Sequence, residues 1–280
     1  MTTSTLLATE PPPAAVDQEA KVADVWNRHW GSFTPERLQV LYERLGQPAP
    51  WYRRPFTCGP QDEVRIFERV LGSLAGFRTL EFGAGIGWTS LWLARAGADV
   101  TVADISSAAL ELSRTVFARA GCRGRWQEAS IFATPAPQDG HDLVFNSGLI
   151  EHFHRPDQLR LLHNMAALTK PGGLVAVIAP FAGAHIYQWS KRRMERRGTW
   201  RFGDEFPLRT MVDLGEEVGL QLVSEETAKP GDQWNFLAGV NRPVARLGML
   251  AQLLTLGEGT PLWSALIGDS MIATVFRKPI

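Results

Sequence analysis

The stretch TLEFGAGIGWTSLWLARAGADVTVADIS, residues 79–106, constrains this chain more than any other. It reads as an apolar strand, a glycine-rich turn, a helix and a second apolar strand that ends in an acid. That order outlines a site for a nucleotide-containing ligand. The physical question is which kind of ligand such a turn admits.

The alternation continues downstream. Short apolar runs predict strands at 78–82, 98–103, 124–128, 142–146, 173–179, 220–226 and 271–277. Helical spacing predicts helices near 87–96, 106–120, 155–169 and 207–218, and another at 242–256. Strands alternating with helices imply an α/β fold with a doubly wound, mostly parallel sheet of seven strands, covered on both faces. Residues 17–46 carry apolar positions at helical spacing, and DEVRIFERVLGSL reads as a helix leading into the first strand. The expected organisation is a flexible leader at 1–18 followed by one domain, 19–280. Its core is about 62–180, 207–226 and 270–278, and its cover is 19–60, 181–206 and 227–269. Long insertions of this kind commonly act as binding loops or lids.

A chain of 280 residues can bury a full core. Its 29 basic residues balance 29 acidic ones, so no overall field draws in a polyanion, and nucleic acid is not the expected partner. Two cysteines, Cys58 and Cys122, lie in no metal-ligand spacing, which fits a reducing cytoplasm and predicts no metal site. The opening residues lack the basic and apolar regions of a secretory signal. VARLGMLAQLLTL contains Arg246 and is too short to span a bilayer, which takes ~20 apolar residues. No membrane partner is expected.

Gly83, Gly85 and Gly87 directly follow the first strand, where glycine permits positive φ and close approach of a ligand to the backbone. A plain strand-to-helix turn would not need three alternate glycines. A triphosphate-binding loop requires a Gly-Lys-Ser/Thr ending, and no lysine is present. A dinucleotide loop requires a third small residue, but counting from Gly83 that position is Trp88. Glu81 places an acid at the strand end, which disfavours a phosphate and suits a cation. Asp104, 21 residues after Gly83, can accept both hydroxyls of a ribose; its alternative role is to cap the next helix.

These residues resemble the class I S-adenosylmethionine-dependent methyltransferases, whose fold is Rossmann-like. LEFGAGIG is similar to their first motif and VADIS to the acidic second. ASIFATP, HDLVFNSGLIEHF with its Glu-His pair, and LTKPGGLVAVIAP resemble the later motifs, in the right order over ~75–180. The resemblance implies S-adenosyl-L-methionine as cofactor. It places Gly83, Ala84, Gly85 and Gly87 along the methionine portion, with Glu81 near its ammonium. Asp104 would hold the ribose and Ile105 would pack on the adenine. Ser130 and Ile131 would meet the adenine edge and face, and Asn146 and Gly148 would lie beneath the sulfonium. Ser130 stands where the family often has Asp; Glu128 is the neighbouring acid that would compensate. WYRRPFTCGPQ would fold over the methionine end, with Tyr52 or Thr57 at the carboxylate.

His152 and His154 follow the fourth strand at the sheet edge where ligands bind in such folds. His152 is a candidate general base; its alternative is to pack against or cap the next helix. His185 and Tyr187, after the fifth strand, are further candidate catalytic or substrate-contacting residues. KRRMERRG, 191–198, holds five basic residues in seven and reads as a solvated helix or as a lid for an anionic substrate or RNA. Of ten tryptophans, Trp26, Trp30, Trp51, Trp189, Trp200, Trp234 and Trp263 lie outside the sheet core. They pack the additions onto the domain or wall a pocket for a flat acceptor and a cationic cofactor.

The expected activity is methyl transfer to O or N, less readily C, of a small-molecule acceptor, as in secondary metabolism, by a monomer or homodimer. The alternatives are an RNA or protein methyltransferase using the basic 191–197 helix, or a cofactor-binding protein of this fold that transfers no methyl.

Overall fold

The computed structural model describes residues 13–50, 52, 54–56, 59–135, 139–255 and 261–280. Three helices come first: α1 (Pro13–Gly31), α2 (Pro35–Leu45) and α3 (Pro60–Leu71). Then follow β1 (Arg78–Phe82), α4 (Trp88–Arg95), β2 (Asp99–Asp104), α5 (Ser107–Arg119), β3 (Arg125–Glu128) and β4 (His141–Ser147). A 3-10 turn at Ile150–His152 leads to α6 (Arg155–Leu168), β5 (Thr169–Pro180) and α7 (His185–Arg196). The chain closes with α8 (Val212–Glu217), β6 (Gln221–Ala228), α9 (Gln233–Ala238), α10 (Arg242–Leu254), α11 (Pro261–Ile267) and β7 (Met271–Arg277).

The seven strands form one sheet in the order β3-β2-β1-β4-β5-β7-β6. β1 pairs in parallel with both β2 and β4, whereas β7 runs antiparallel to β5 and β6. Crossovers after β1 go one way and those after β4 the other. The loops leaving β1 and β4 therefore diverge, opening a crevice at the carboxyl ends of these two strands. Strands buried on both faces read as unbroken apolar runs, and LVAVIA of β5 is wholly buried. Val175 and Val177 face α6 and α8, together with Leu80 and Phe82. Leu174 and Ala176 face the layer of α2–α5, with Phe67, Leu91 and Phe117.

Local chemistry sets the helix starts. Thr34 accepts the Arg37 N–H ahead of Pro35, and Asn241 accepts the Val244 N–H with proline in the first turn of α10. α1 begins at Pro13, inside the stretch expected as a leader at 1–18; residues 1–12 lie outside the described residues. Gln18 ties this helix down by donating to the His152 carbonyl at 2.8 Å. The helix expected at 207–218 is confined to α8. Phe206 instead donates its N–H to the Glu151 carbonyl, and Leu208 bridges to Phe181, which holds this segment extended. β5 starts earlier than expected because Thr169 pairs with His141 across an irregularity in the ladder. No described helix is long and apolar enough to cross a membrane.

Candidate active site

A cavity of about 350 Å³ sits in the crevice. At one end it is lined by the β1 loop, residues 83–86, and by Asp104 and Ile105 from β2. Ser147, Gly148, Leu149, Glu151 and His152 follow β4 along its floor. Tyr187 of α7, Phe202, Glu205 and Phe236 of α9 form the far wall, and Val22, Trp26 and Trp30 of α1 roof it.

The loop is shaped by its glycines. Gly83, Gly85 and Gly87 have φ of +61°, +53° and +72°, in the left-handed region that favours glycine. A Cβ on Gly85 would lie 2.6 Å from Trp30 Cζ2, so the roof presses directly on the loop. Gly85 donates its N–H to Asp104 Oδ2 at 2.7 Å, and Ser106 donates its N–H to Oδ1 at 2.8 Å. The cap of α5 is Ser106, whose hydroxyl accepts from Ala109, which relieves Asp104 of that alternative role. Burial raises the Asp104 carboxyl above its usual range, against the lowering effect of these backbone donors. Trp88, the residue too large for a dinucleotide loop, is among the residues that line the cavity.

Glu81 is positioned differently from expectation. It does not line the cavity but lies beneath the loop, where Ser90 donates to it from its hydroxyl at 2.5 Å and its N–H at 3.1 Å. Glu63 of α3 lies close by, accepting from Thr89 and Ser147 at 2.7 and 2.8 Å. Burial, with Glu63 and Asp104 adding repulsion, pushes the Glu81 carboxyl up to about 8 despite the Ser90 donors. The same desolvation raises Glu63. Three acids thus surround the loop, an environment that favours a cation above it.

The adenine-side candidates open onto a smaller hollow that shares Val22, Gly83, Ile105 and Leu149 with the main cavity. Ile131 lines that hollow. Ser130 donates its hydroxyl to Glu19 of α1. Glu19, not Glu128, is therefore the acid beside Ser130; Glu128 is exposed at the end of β3. Asn146 also departs from expectation. It sits on the opposite face of β4, fully buried, with Nδ2 3.2 Å from Met165 Sδ beneath α6. Gly148 does line the cavity. Tyr52 is exposed and is not part of the lining, and Thr57, with Trp51 and Cys58, lies outside the described residues.

Among the base candidates, His152 lies in the cavity floor and His185 does not. His185 is the first residue of α7, on its exposed side, so the helix turns it to solvent while Tyr187 faces inward. His152 Nδ1 lies 2.8 Å from the Asp204 carbonyl, which can only accept, so the proton is on Nδ1 and the lone pair on Nε2. Burial keeps its pKa below the usual imidazole value, with Lys191 adding to the effect. Tyr187 donates its hydroxyl to Glu205, and burial beside that acid raises the phenol.

Sequence reasoning missed Glu151 and Glu205. Glu151 stands in the Glu-His pair, and it is buried with Oε2 lacking a hydrogen-bond partner. Burial, with Glu205 adding repulsion, pushes its carboxyl up to about 8. Burial likewise lifts Glu205 to about 7. The basic segment lies on α7; Arg192, Arg193, Arg196 and Arg197 are exposed, whereas Lys191 is buried and donates to the Glu205 carbonyl at 3.2 Å. Trp26 stacks with Trp30 at 5.6 Å and meets His152 edge-on at 5.7 Å. Those two tryptophans wall the cavity, while Trp234 and Trp263 pack together in the outer insertion. No group of three or more His, Cys, Asp or Glu suited to a metal occurs among the described residues.

Residues 79–173 match the family described as a methyltransferase domain. A ubiquinone biosynthesis O-methyltransferase of Bordetella avium is 34% identical over 141 residues, 50% of this chain and 57% of that protein. The methyltransferase GfsG of Streptomyces halstedii is 31% identical over 172 residues, 58% of this chain and 61% of that one. The chain thus spans somewhat over half the length of these relatives. In fold it is similar to the magnesium protoporphyrin IX methyltransferase of Synechocystis PCC 6803 with bound SAH. That match has a TM-score of 0.59 and 14% identity, covering 94% of this chain and 100% of that one. A phosphoethanolamine N-methyltransferase 2 of Haemonchus contortus in complex with S-adenosyl-L-methionine also has a TM-score of 0.59, at 17% identity over 92% of this chain and 60% of that one. Through its residues 79–173 this chain is similar to methyltransferase domains, and its fold is similar to that of methyltransferases solved with bound S-adenosyl-L-methionine or SAH.

Proposed function

We propose that this protein transfers the methyl group of S-adenosyl-L-methionine to an O or N atom of a small-molecule acceptor. The observation that carries this reading is the continuity of one cavity from the glycine loop and Asp104 to Glu151, His152, Tyr187 and Glu205. A cofactor held at the first end would face an acceptor held at the second.

The residues present fit this cofactor. The left-handed glycines bring bare backbone to the cavity, and acids rather than lysine surround the loop. Asp104 has one backbone donor on each oxygen and retains lone pairs for two ribose hydroxyls. When bound, the cofactor would supply a methyl carbon on a positive sulfur, electrophilic without further activation. The chain then has to orient, dry the site and handle a proton. Orientation of this kind can lower a barrier by ~7–11 kcal/mol. The roof of Val22, Trp26 and Trp30 excludes water, and its indole faces suit a sulfonium cation. His152, neutral with its lone pair on Nε2, takes a proton from the acceptor.

The test is conversion of S-adenosylmethionine to its demethylated product in the presence of a panel of hydroxyl- and amine-bearing acceptors. Acceptor-dependent turnover supports the reading. Cofactor binding without turnover on any acceptor favours a protein of this fold that transfers no methyl.

A further inference from the structure

The ionisable groups at the acceptor end of the cavity include two carboxyls, which can carry charge of one sign only. Glu151 and Glu205 line it, and no lysine or arginine does. Glu205 already has companions, the Tyr187 hydroxyl and the Lys191 ammonium 3.9 Å from its Oε2. Glu151 is 2% exposed, and its Oε2 meets no donor. A buried carboxylate oxygen without a donor is costly, which makes it a marker for a missing partner. The cofactor's ammonium would lie above Glu63 and Glu81 beneath the loop, and its sulfonium against the indoles of Trp26 and Trp30.

We propose that the acceptor is a basic amine, seated as its ammonium form on Glu151 beside Glu205, with an apolar body between the aromatic rings. This rests on the methyltransferase reading and narrows it. A phosphate or carboxylate acceptor would meet two acids lining the cavity, with the nearby Lys191 already engaged by Glu205. A neutral hydroxyl would give Glu151 one hydrogen bond and no positive charge to stabilise its carboxylate against burial. An ammonium supplies both the charge and several donors, and the faces of Trp26, Phe202, Tyr187 and Phe236 around the cavity favour a cation further. Tyr187, Glu205 and Phe236 also lie outside residues 79–173, so the family match does not govern the acceptor wall.

The seat has a second use. An ammonium has no lone pair, so an N–H bond must break before nitrogen can accept carbon. Its electron pair stays on nitrogen and the proton forms an O–H bond at Glu151. The new N–C bond then uses that pair, while the pair of the broken C–S bond stays on sulfur. His152 Nε2 takes the second proton, released once nitrogen carries the methyl group. A carboxyl lifted to about 8 by burial holds such a proton far better than an exposed glutamate would.

Three probes of one shape separate the possibilities: 2-phenylethylamine, 2-phenylethanol and phenylacetate, titrated into protein saturated with S-adenosylhomocysteine. The amine is expected to bind at least about ten-fold tighter than the alcohol, and phenylacetate weakest of all. Glu151→Gln keeps the shape, should leave S-adenosylhomocysteine affinity unchanged, and should abolish the preference for the amine. An alcohol that binds as tightly as the amine, a preference that survives Glu151→Gln, or no binding by any probe overturns the proposal. Failure of S-adenosylhomocysteine to bind overturns the methyltransferase reading instead.

Discussion

Gly85 donates its backbone N–H to Asp104 Oδ2 at 2.7 Å, so the turn after β1 and the end of β2 form one ligand-facing surface. Asp104→Ala removes both the ribose acceptor and the anchor of the loop. It should weaken S-adenosylmethionine binding by about 10- to 100-fold, the loss expected of hydrogen bonds to a charged group. Asp104→Asn should fall between, since it can keep one acceptor for Gly85. Isothermal titration of the three proteins measures the order.

Gly85 is limited twice, by its φ of +53° and by Trp30 Cζ2 at 2.6 Å from where its Cβ would be. Gly85→Ala should destabilise the fold by about 1–3 kcal/mol in urea unfolding. Trp30→Ala in the same chain should return part of that loss, because the clash is removed and the backbone strain is not. A double-mutant cycle with no coupling would place Trp30 away from the loop in solution.

His152→Asn should lower kcat by about 100- to 10,000-fold, the usual span for a lost general base, with cofactor affinity little changed. Because burial holds the imidazole below its usual pKa of 6.5, the wild-type rate should persist below pH 6.5 before it falls. An acid limb centred at or above 6.5, or an intact rate in His152→Asn, would remove His152 from that role.

Stability should fall as pH rises. Glu81 and Glu151 at about 8 and Glu205 at about 7 all lie above their ordinary 4.5. Over that interval the folded chain holds protons that the unfolded chain has released. The stabilisation is full below about pH 4.5 and is lost as pH climbs through 7 and 8. Between pH 6.5 and 8.5, Glu151→Gln should flatten the decline. The difference for one such group is on the order of 2 kcal/mol. An equal slope in wild type and variant would show that Glu151 ionises freely in the fold.

The sheet was legible because buried parallel strands leave unbroken apolar runs, and the loop because three glycines at alternate positions have few other uses. Asp104, the glycines and His152 follow from their places at strand ends. The acceptor wall was less legible, because it is assembled across distance. Glu205 reaches the cavity only because residues 206–208 are held extended against Glu151 and Phe181. Glu19 meets Ser130 across 111 residues, a pairing no local pattern encodes. Glu81 and Asn146 stand at the expected strand ends, but the Ser90 hydroxyl engages the first and the Met165 sulfur the second, away from the cavity lining.

The central claim is that the crevice between β1 and β4 seats S-adenosylmethionine. Titration calorimetry of the wild type with S-adenosylmethionine and with S-adenosylhomocysteine tests it most directly. The account predicts saturable one-site binding of both, weakened by Asp104→Ala and by Gly85→Asp, which sets a side chain into the loop beside Trp30. No binding of either ligand to folded wild-type protein, or equal binding to wild type and both variants, would contradict it.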